Sequence, residues 1–256
     1  TRAFRRQGCR RPLGGKLMVG LAGRALVLTG TSVLREPEDR RGPELSVVVP
    51  TLNEAQNIKP LYDAIAAALT GVRWEMIIVD DDSRDETVAI ARQIGEIDGR
   101  VRCLRRIGRR GLSGAVVEGI LSSSAFAVAV IDADMQHDER LLPRMLEELR
   151  GGADLAIGSR HVTGGEASTG FSRLRGWVSD GAAGSAQRIL GVTVSDPMSG
   201  FFAIRRDKAD LIAPRLSTQG FKVLLDLLVS APEPMQVKEI GYRFRPRMRG
   251  ESKLDS

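Results

Sequence analysis

The feature that most constrains this chain is a regular alternation of short apolar runs with helix-like segments from Glu44 onward. The apolar runs are rich in Val and Ile and end at polar residues, which is typical of strands buried on both faces. They predict strands at Leu45–Val49, Met76–Val79, Val101–Leu104, Ala125–Ile131 and Asp154–Ile157. The segments between them predict helices at Ile58–Leu69, Asp85–Ile94, Leu112–Leu121 and Glu139–Leu149. This alternation predicts βαβ units, and so an α/β fold with a parallel-dominated mixed sheet and helices on both faces.

Cysteine and histidine are too scarce for several site classes. The 256 residues include two Cys and two His, against 42% hydrophobic and 27% charged residues. Two cysteines exclude a disulfide framework and a four-cysteine zinc site. A chain of this length and composition forms an ordinary globular core without such cross-links.

The net charge of +6 is local to the N-terminus. Residues 1–43 hold ten basic and three acidic side chains, whereas residues 44–256 hold 28 basic and 29 acidic ones. A nearly neutral body with 4% aromatic residues argues against a nucleic-acid-binding module. We expect residues 1–43 to be a flexible basic leader and residues 44–256 to be one domain.

The apolar stretch Leu17–Leu34 is interrupted by Arg24 and is too short and diluted to cross a bilayer, so we expect no complete transmembrane helix.

Polar residues follow the predicted strands. The segments are Pro50–Glu54, Asp80–Ser83, Asp132–His137 and Gly158–Arg160. Ligands of parallel sheets bind beyond the carboxyl ends of the strands, so we expect these segments to converge on one edge. Carboxylates packed so closely repel one another, which predicts a positive group between them.

Asp132, Asp134 and Gln136 are candidate metal ligands. In an extended segment their side chains would share one face, and their oxygens suit Mg²⁺ or Mn²⁺ shared with a substrate phosphate. The alternative is that Asp132 caps a loop and Asp134 is solvated. The position after a buried strand, beside two other acidic loops, favours the metal site.

Seven sequence blocks occur in a family order. They are VVVPTLNEAQNI, IIVDDDSRDET, GLSGAVVEG, IDADMQHD, GSRHVTGG, DPMSGFF and RGESKL, between Leu45 and Leu254. Together they resemble family 2 glycosyltransferases of the three-layer, Rossmann-like GT-A fold, and more narrowly the dolichol- or polyprenol-phosphate mannosyltransferases. The resemblance implies metal-dependent transfer of a hexose, with inversion, from a nucleotide sugar such as GDP-mannose to polyprenyl phosphate.

The resemblance also implies roles for individual residues. The nucleotide sugar would be held by Pro50, Leu52, Glu54, Asp81, Asp132, Ala133, Asp134, Arg247 and Lys253. The metal would be bound by Asp132, Asp134 and Gln136, and the acceptor phosphate by Arg160, Arg175 and Ser179. Asp134, Arg160, Arg175 and Asp196 would form the reaction centre, although Asp196 could equally be a turn-capping carboxylate.

The chemistry of the residues agrees with this reaction. A divalent cation and arginines stabilise the negative charge that develops on a leaving nucleoside diphosphate. The acceptor is already an anion, so no strong general base is needed, and we interpret His137 as a structural residue beside the site. Arginine suits the acceptor because its planar fork matches phosphate oxygens.

Two arginine series have alternative interpretations. Arg243, Arg245, Arg247 and Arg249 alternate, and in a strand they would line a lipid-phosphate path or protect an edge from aggregation. The arginines between Arg100 and Arg110 would form a solvated face or contact anionic lipid or nucleotide. Gly111–Gly114 lacks the lysine of a phosphate-binding loop and predicts a helix start.

Three departures from the family pattern concern mainly the donor. Leu52 replaces a common aromatic, Phe221 a common Tyr, and HDER the usual HPPE. UDP-glucose as donor and a non-lipid glycan acceptor therefore stay open as alternatives. A receiver-like signalling domain does not fit the length or the position of the acidic run. We expect the enzyme to work at the cytoplasmic face of a membrane, either peripherally or through an anchor absent from this chain.

Overall fold

The computed structural model describes residues 42–162, 194–220 and 222–246. The chain divides into the units Thr1–Arg41 and Gly42–Ser256, and all described residues belong to the second. The boundary that we expect at residues 43 and 44 stays a prediction. The strands are β1 (Leu45–Thr51), β2 (Trp74–Asp80), β3 (Val101–Arg105), β4 (Ala127–Val130), β5 (Leu155–Ser159), β6 (Phe202–Arg205) and β7 (Val237–Gly241). The helices are α1 (Ala55–Ala68), α2 (Thr87–Ile97), α3 (Leu112–Leu121), α4 (Leu142–Arg150), α5 (Arg206–Ile212) and α6 (Val223–Ser230), with 3₁₀ turns at Glu139–Leu141 and Ala213–Arg215.

The seven strands form one mixed sheet in the order β3-β2-β1-β4-β6-β5-β7. Strand β6 runs antiparallel to both of its neighbours, β4 and β5. The pairs β1–β2, β1–β4, β2–β3 and β5–β7 are parallel. This confirms the expected parallel-dominated sheet.

Helices cover both faces of the sheet, which is why central strands such as β1 carry apolar residues on both faces. Val47 and Val49 pack in one core with residues of α1, α2 and α4. Val48, between them, points to the other face and packs with residues of α3, α5 and α6. Successive side chains of a strand alternate between faces, so a strand covered on both sides loses the polar alternation of a half-exposed one. The result is a three-layer α/β arrangement.

Some element boundaries differ from the sequence predictions. Helix α1 begins at Ala55, three residues before the predicted start, and α2 extends to Ile97. The predicted helix Glu139–Leu149 is divided into a 3₁₀ turn and α4, which has a proline in its first turn. Helix α5 and strand β7 were not predicted. The sequence of β7 carries no strand pattern because β7 is an edge strand with charged residues and only one buried position.

No helix among the described residues is both long enough and apolar enough to traverse a bilayer.

Candidate active site

The candidate site lies at the carboxyl ends of β1, β2 and β4. Strand β1 pairs in parallel with β2 on one side and with β4 on the other, so the connection order reverses between β1 and β4. Open α/β sheets bind their ligands at such a reversal. The three predicted polar loops therefore emerge beside one another.

Each of these three loops contains one non-glycine residue with positive φ. Asn53 follows β1 with φ 53°, Asp82 follows β2 with φ 61°, and Met135 lies in the loop after β4 with φ 64°. Asn and Asp tolerate this left-handed conformation, whereas Met adopts it only at a cost. Strained backbone of this kind is concentrated at functional sites, which favours these loops as the ligand-binding region.

The loops after β1 and β2 are joined by side-chain hydrogen bonds. The backbone N–H of Asn53 donates to Ser83 Oγ at 2.8 Å, and the backbone N–H of Arg84 donates to Asn53 Oδ1 at 2.8 Å. Glu54 N–H donates to Thr87 Oγ1 at 2.8 Å. Pro50 is buried at the end of β1, and Leu52 is partly buried beside it. The predicted nucleoside-binding segment Pro50–Glu54 is thus fixed against the second loop.

Asp81 is bound inside the protein rather than left open to a ligand. Its Oδ2 accepts from Gly111 N–H at 2.7 Å, at the N-terminus of α3, and its Oδ1 accepts from the buried guanidinium of Arg106. Burial raises the pKa of Asp81 and outweighs the lowering effects of Gly111 and Arg106. A nucleoside contact to Asp81 would therefore have to share these oxygens. Gly114 leaves the space that the Arg106 guanidinium fills.

Most of the arginines between Arg100 and Arg110 form ion pairs with carboxylates. The pairs are Arg100–Asp98, Arg102–Glu75, Arg105–Asp82, Arg106–Asp81 and Arg109–Glu118. Two of them neutralise the acidic run after β2, so the positive charge expected there comes from this arginine series. The side chains of Arg100, Arg102, Arg105 and Arg109 are 40–59% exposed, which agrees with the solvated face, whereas Arg106 is buried against Asp81.

The loop after β4 is folded back on itself, and the expectation of an extended segment is wrong. Asp134 Oδ1 accepts from Gln136 N–H at 3.1 Å, and Met135 takes its left-handed conformation between them. His137 Nε2 lies 3.2 Å from Asp132 Oδ2. Ala133 and Asp134 are buried. These short-range hydrogen bonds compete with an extended backbone and bend it.

His137 connects Asp132 to an aromatic cluster formed with Phe201, Tyr242 and Phe244. Its ring lies 5.3 Å from those of Phe201 and Phe244. His137 Nδ1 is 2.6 Å from Tyr242 Oη. A carboxylate only accepts hydrogen bonds, so the contact to Asp132 places a proton on Nε2, and Nδ1 can then accept from the tyrosine hydroxyl. Burial raises the pKa of Tyr242, which keeps that hydroxyl protonated. This agrees with the structural role expected of His137.

The residues of this loop fit a hard divalent cation. The Asp132 side chain is 37% exposed, and among the described residues none donates to its Oδ1. Gln136 Nε2 donates to Arg245 C=O at 3.1 Å, which leaves the amide oxygen available. Within the described ranges no three carboxylate, imidazole or thiol side chains form a metal cluster by themselves. A cation here would complete its shell with amide, water and phosphate oxygens, as Mg²⁺ and Mn²⁺ do.

Arg160 is held by Asp196 in a side-on pair. Arg160 Nε and Nη2 donate to the two Asp196 oxygens at 2.9 and 3.0 Å, and Asp196 is 2% exposed. Burial lowers the pKa of Arg160, but the hydrogen bonds and charge of Asp196 outweigh burial and raise it. Among the described residues none accepts a hydrogen bond from the Nη1–Nη2 edge of this guanidinium, which could bind a second anion. This edge matches two phosphate oxygens.

The turn that carries Asp196 is anchored by Glu239, which the sequence analysis did not single out. Glu239 on β7 accepts from Ser195 N–H at 3.0 Å, from Ser195 Oγ at 2.6 Å and from Asp196 N–H at 3.3 Å. The edge strand β7 thereby fixes the partner of Arg160. An isolated Glu in a short, half-exposed strand carries no sequence signal for this role.

A small cavity of about 30 Å³ lies beside Asp132. It is bordered by the Met198–Gly200 turn, by Lys222 and by residues of α3, β4 and α6. It has room for about one water molecule. A nucleotide sugar would therefore occupy the open edge of the sheet and not this cavity.

Four predicted site residues lie outside the described residues. They are Arg175, Ser179, Arg247 and Lys253. Their assignment to the acceptor phosphate and to the donor stays a prediction.

Sequence relatives carry one activity in their names. A dolichol-phosphate mannosyltransferase of Pyrococcus furiosus is 37% identical over 213 residues, which cover 82% of this chain and 59% of that protein. The enzyme of the same name from Saccharomyces cerevisiae is 33% identical over 219 residues, covering 82% of this chain and 81% of that protein. The chain therefore spans about three fifths of the length of the Pyrococcus relative.

Solved structures agree in fold. Glucosyl-3-phosphoglycerate synthase from Mycobacterium tuberculosis, crystallised with Mn²⁺, UDP-glucose and phosphoglyceric acid, superposes with a TM-score of 0.60 at 23% identity, covering 84% of this chain and 74% of that one. A mycobacterial protein superposes with a TM-score of 0.63 at 20% identity, covering 83% and 70%. These are GT-A structures, which confirms the expected fold class.

The family assignment rests on sequence as well as on fold. The family model described as glycosyl transferase family 2 matches residues 46–212, which include the three loops of the candidate site and the Arg160–Asp196 pair. With the sequence relatives in agreement, the chain belongs to glycosyl transferase family 2.

Proposed function

We propose that this chain transfers mannose from GDP-mannose to a polyprenyl phosphate, with inversion and with Mg²⁺ or Mn²⁺ as cofactor. The observation that carries the proposal is the shared name of the sequence relatives. The proteins from Pyrococcus furiosus, Mycosarcoma maydis and Saccharomyces cerevisiae are each named dolichol-phosphate mannosyltransferase, at 37%, 34% and 33% identity. The site geometry supports the acceptor half of this reaction.

Arg160 is suited to bind the acceptor phosphate. Asp196 occupies one edge of its guanidinium and leaves the other for two phosphate oxygens. The acceptor is an anion before it reacts, so its oxygen attacks the anomeric carbon without a protein base. This agrees with His137, whose two ring nitrogens are occupied by Asp132 and Tyr242. Pre-orientation of the nucleophile by a fixed cation is the main contribution we assign to Arg160.

The loops after β1, β2 and β4 would bind the donor. Pro50–Glu54 and Asp81 border the nucleoside region, and Asp132 and Asp134 would hold the cation beside the diphosphate. A bound cation would neutralise the charge that develops on the departing diphosphate. The chain's own contribution is to keep these oxygens in place through His137, Gln136 and the backbone of residues 133–136.

A lipid acceptor and a water-soluble donor can meet only at a membrane surface. The proposal therefore includes action at such a surface, and specifically at the cytoplasmic face.

The test measures transfer of radiolabelled sugar into an organic-extractable lipid product. Each reaction contains a polyprenyl phosphate and either GDP-mannose or UDP-glucose, with Mn²⁺ or with EDTA. The chain and the Asp134→Asn variant are compared, with circular dichroism to confirm folding. We expect Mn²⁺-dependent label from GDP-mannose that the variant loses. Absence of extractable label from either donor, with folded protein, contradicts the lipid acceptor.

UDP-glucose is the second candidate donor. The observation that favours it is that a fold neighbour was crystallised with UDP-glucose and Mn²⁺, and that Leu52 departs from the family pattern at the predicted nucleoside segment. If only UDP-glucose labels the lipid product, the proposed transfer to polyprenyl phosphate stands and the donor is UDP-glucose instead of GDP-mannose.

A further inference from the structure

Arg245 is attached to the candidate metal loop through both its backbone and its side chain. Its N–H donates to Gln136 C=O at 2.8 Å, and its C=O accepts from Gln136 Nε2 at 3.1 Å. Its guanidinium donates to Asp138 Oδ1 at 2.8 Å and to Glu139 Oε2 at 3.0 Å. One residue thus contacts three of the four positions from 136 to 139.

The guanidinium of Arg245 lies between two carboxylates that are largely shielded from solvent. The side chains of Asp138 and Glu139 are 13% and 10% exposed, and that of Arg245 is 31% exposed. Without Arg245, both carboxylates would face each other with Arg140 as the remaining described cation on Asp138. Breaking such a partly buried pair is costly because it leaves uncompensated charge. Arg245 thus forms ion pairs with both neighbouring carboxylates.

The contact to Gln136 has a consequence for metal binding. Gln136 has one amide nitrogen and one amide oxygen, and Arg245 C=O accepts a hydrogen bond only from the nitrogen. The side chain of Gln136 is therefore held with its oxygen directed away from Arg245. Loss of the Arg245 side chain would release the segment that carries this carbonyl and allow the amide to rotate.

We propose that Arg245 is a positioning residue that holds Gln136 and the loop after β4 in the conformation that binds Mg²⁺ or Mn²⁺. This inference rests on the proposed function only in taking that loop as the metal site. It places Arg245 outside the lipid-phosphate path that its alternation with Arg243 suggested. Residues that orient metal ligands change metal affinity by about 10- to 100-fold when they are removed.

The test measures Mn²⁺ affinity by electron paramagnetic resonance, in which free Mn²⁺ is counted directly, with and without GDP. The variants are Arg245→Ala and Arg245→Lys. We expect the Mn²⁺ dissociation constant of Arg245→Ala to rise about tenfold or more. Arg245→Lys keeps the charge but replaces the fork that spans both carboxylates with a single ammonium group, so we expect a smaller rise in the same direction. If Arg245→Ala does not fold, the Mn²⁺ dissociation constant of Arg245→Lys decides: a rise supports the inference and an unchanged value overturns it.

Two controls separate positioning from general stability. Arg140→Ala removes the other cation on Asp138. The Arg140 side chain is 75% exposed and does not contact Gln136, so the Mn²⁺ affinity of this variant should stay within about twofold of that of the unsubstituted chain. Gly119→Ala disturbs the packing of α3 on Val48 and should lower the melting temperature without changing Mn²⁺ affinity.

The outcomes distinguish this inference from the proposed function. The Mn²⁺-binding experiment contains no sugar donor and no lipid. Mn²⁺ binding that depends on Arg245 therefore supports the inference even if the transfer assay yields no mannosyl lipid. Unchanged Mn²⁺ affinity in folded Arg245→Ala overturns it. Absence of Mn²⁺ binding by the unsubstituted chain, with or without GDP, also overturns it.

Discussion

The guanidinium of Arg160 and the carboxylate of Asp196 form a two-point pair, with N–O distances of 2.9 and 3.0 Å, at the carboxyl end of β5. Asp196 is almost completely buried, and Glu239 fixes its backbone from the neighbouring strand. The pair is therefore fixed on the carboxylate side, whereas on the arginine side no described residue accepts from the second edge of the guanidinium.

Replacing Asp196 should destabilise the fold strongly. Asp196→Ala leaves the largely buried Arg160 without its counter-ion, which we expect to lower the free energy of unfolding by ~3 kcal/mol. Urea denaturation followed by circular dichroism measures this. The matched control is Asp207→Ala, which breaks the Arg205–Asp207 pair, whose Asp207 side chain is 57% exposed. That change should cost less than ~1 kcal/mol. Equal losses in the free energy of unfolding for Asp196→Ala and Asp207→Ala would contradict the expectation that the buried pair contributes more than the exposed one.

Gly200→Ala should impair metal binding without unfolding the protein. A Cβ at this position would lie 2.5 Å from Asp132 Oδ2. Movement of the carboxylate weakens its hydrogen bond to His137, so we expect a loss of ~1–2 kcal/mol in the free energy of unfolding, which leaves the protein folded. The displaced carboxylate should nevertheless raise the Mn²⁺ dissociation constant by about tenfold. Gly99→Ala, where an added Cβ meets nothing within 4 Å, is the control and should change neither quantity. Normal Mn²⁺ affinity in Gly200→Ala would argue against Asp132 as a ligand.

Tyr242→Phe should allow both tautomers of the His137 ring. The variant removes the hydroxyl that donates to Nδ1 and should cost ~1–2 kcal/mol of stability, because a buried acceptor loses its partner. Nitrogen-15 NMR of the imidazole should show the Nε2–H tautomer in the unsubstituted chain and a mixture of tautomers in the variant. Removal of the second histidine in a His161→Gln background assigns the signals.

Tyr62→Phe is the control for this change. It also removes a tyrosine hydroxyl, but one that donates to Asp98 at 2.8 Å, far along the sequence from His137. The His137 spectrum should not change. A spectrum of Tyr242→Phe identical to that of the unsubstituted chain would refute the tautomer assignment.

Asp98 should make a contribution to stability that is lost in acid. The hydrogen bonds from the Arg100 guanidinium hold the pKa of Asp98 well below its ordinary value, and they outweigh burial. A lowered folded-state pKa gives stability that is present above the unfolded pKa, about 3.9, and is lost as the pH falls below it. Asp98→Asn should therefore lower the free energy of unfolding by ~1 kcal/mol near neutral pH, since the pair lies at the surface.

The pH dependence of Asp98→Asn is measured by urea denaturation near neutral pH and at about pH 3. The difference from the unsubstituted chain should become smaller at the lower pH. Asp63→Asn, which affects an exposed pair with Lys59, should show little difference at either pH. A difference that grows in acid would reverse the sign of the proposed contribution.

The strand and helix pattern could be predicted from sequence because it depends on local periodicity. The run Leu45–Val49 lies within β1, and Leu112–Leu121 is helix α3 with its predicted bounds. Seven motif blocks in order were enough to identify the family, since their residues recur at fixed places in the chain. The edge strand β7 and the antiparallel position of β6 were beyond this reasoning, because they depend on pairing between strands distant in sequence.

The site was predictable in its residues but not in its connections. The sequence by itself determined that acidic loops follow β1, β2 and β4, and that Arg160 follows β5. Tertiary structure decided which oxygens stay available: Arg106 and Gly111 donate to Asp81, whereas Asp132 has one oxygen on His137 and one that accepts no hydrogen bond from a described residue. The tertiary structure also decided that Arg245 contacts Gln136, Asp138 and Glu139 in the loop after β4. Apart from the Asp132–His137 contact, which joins residues five positions apart, these contacts join residues about 25 to more than 100 positions apart in the chain. Such hydrogen bonds and ion pairs form only after the packed sheet has brought the loops together.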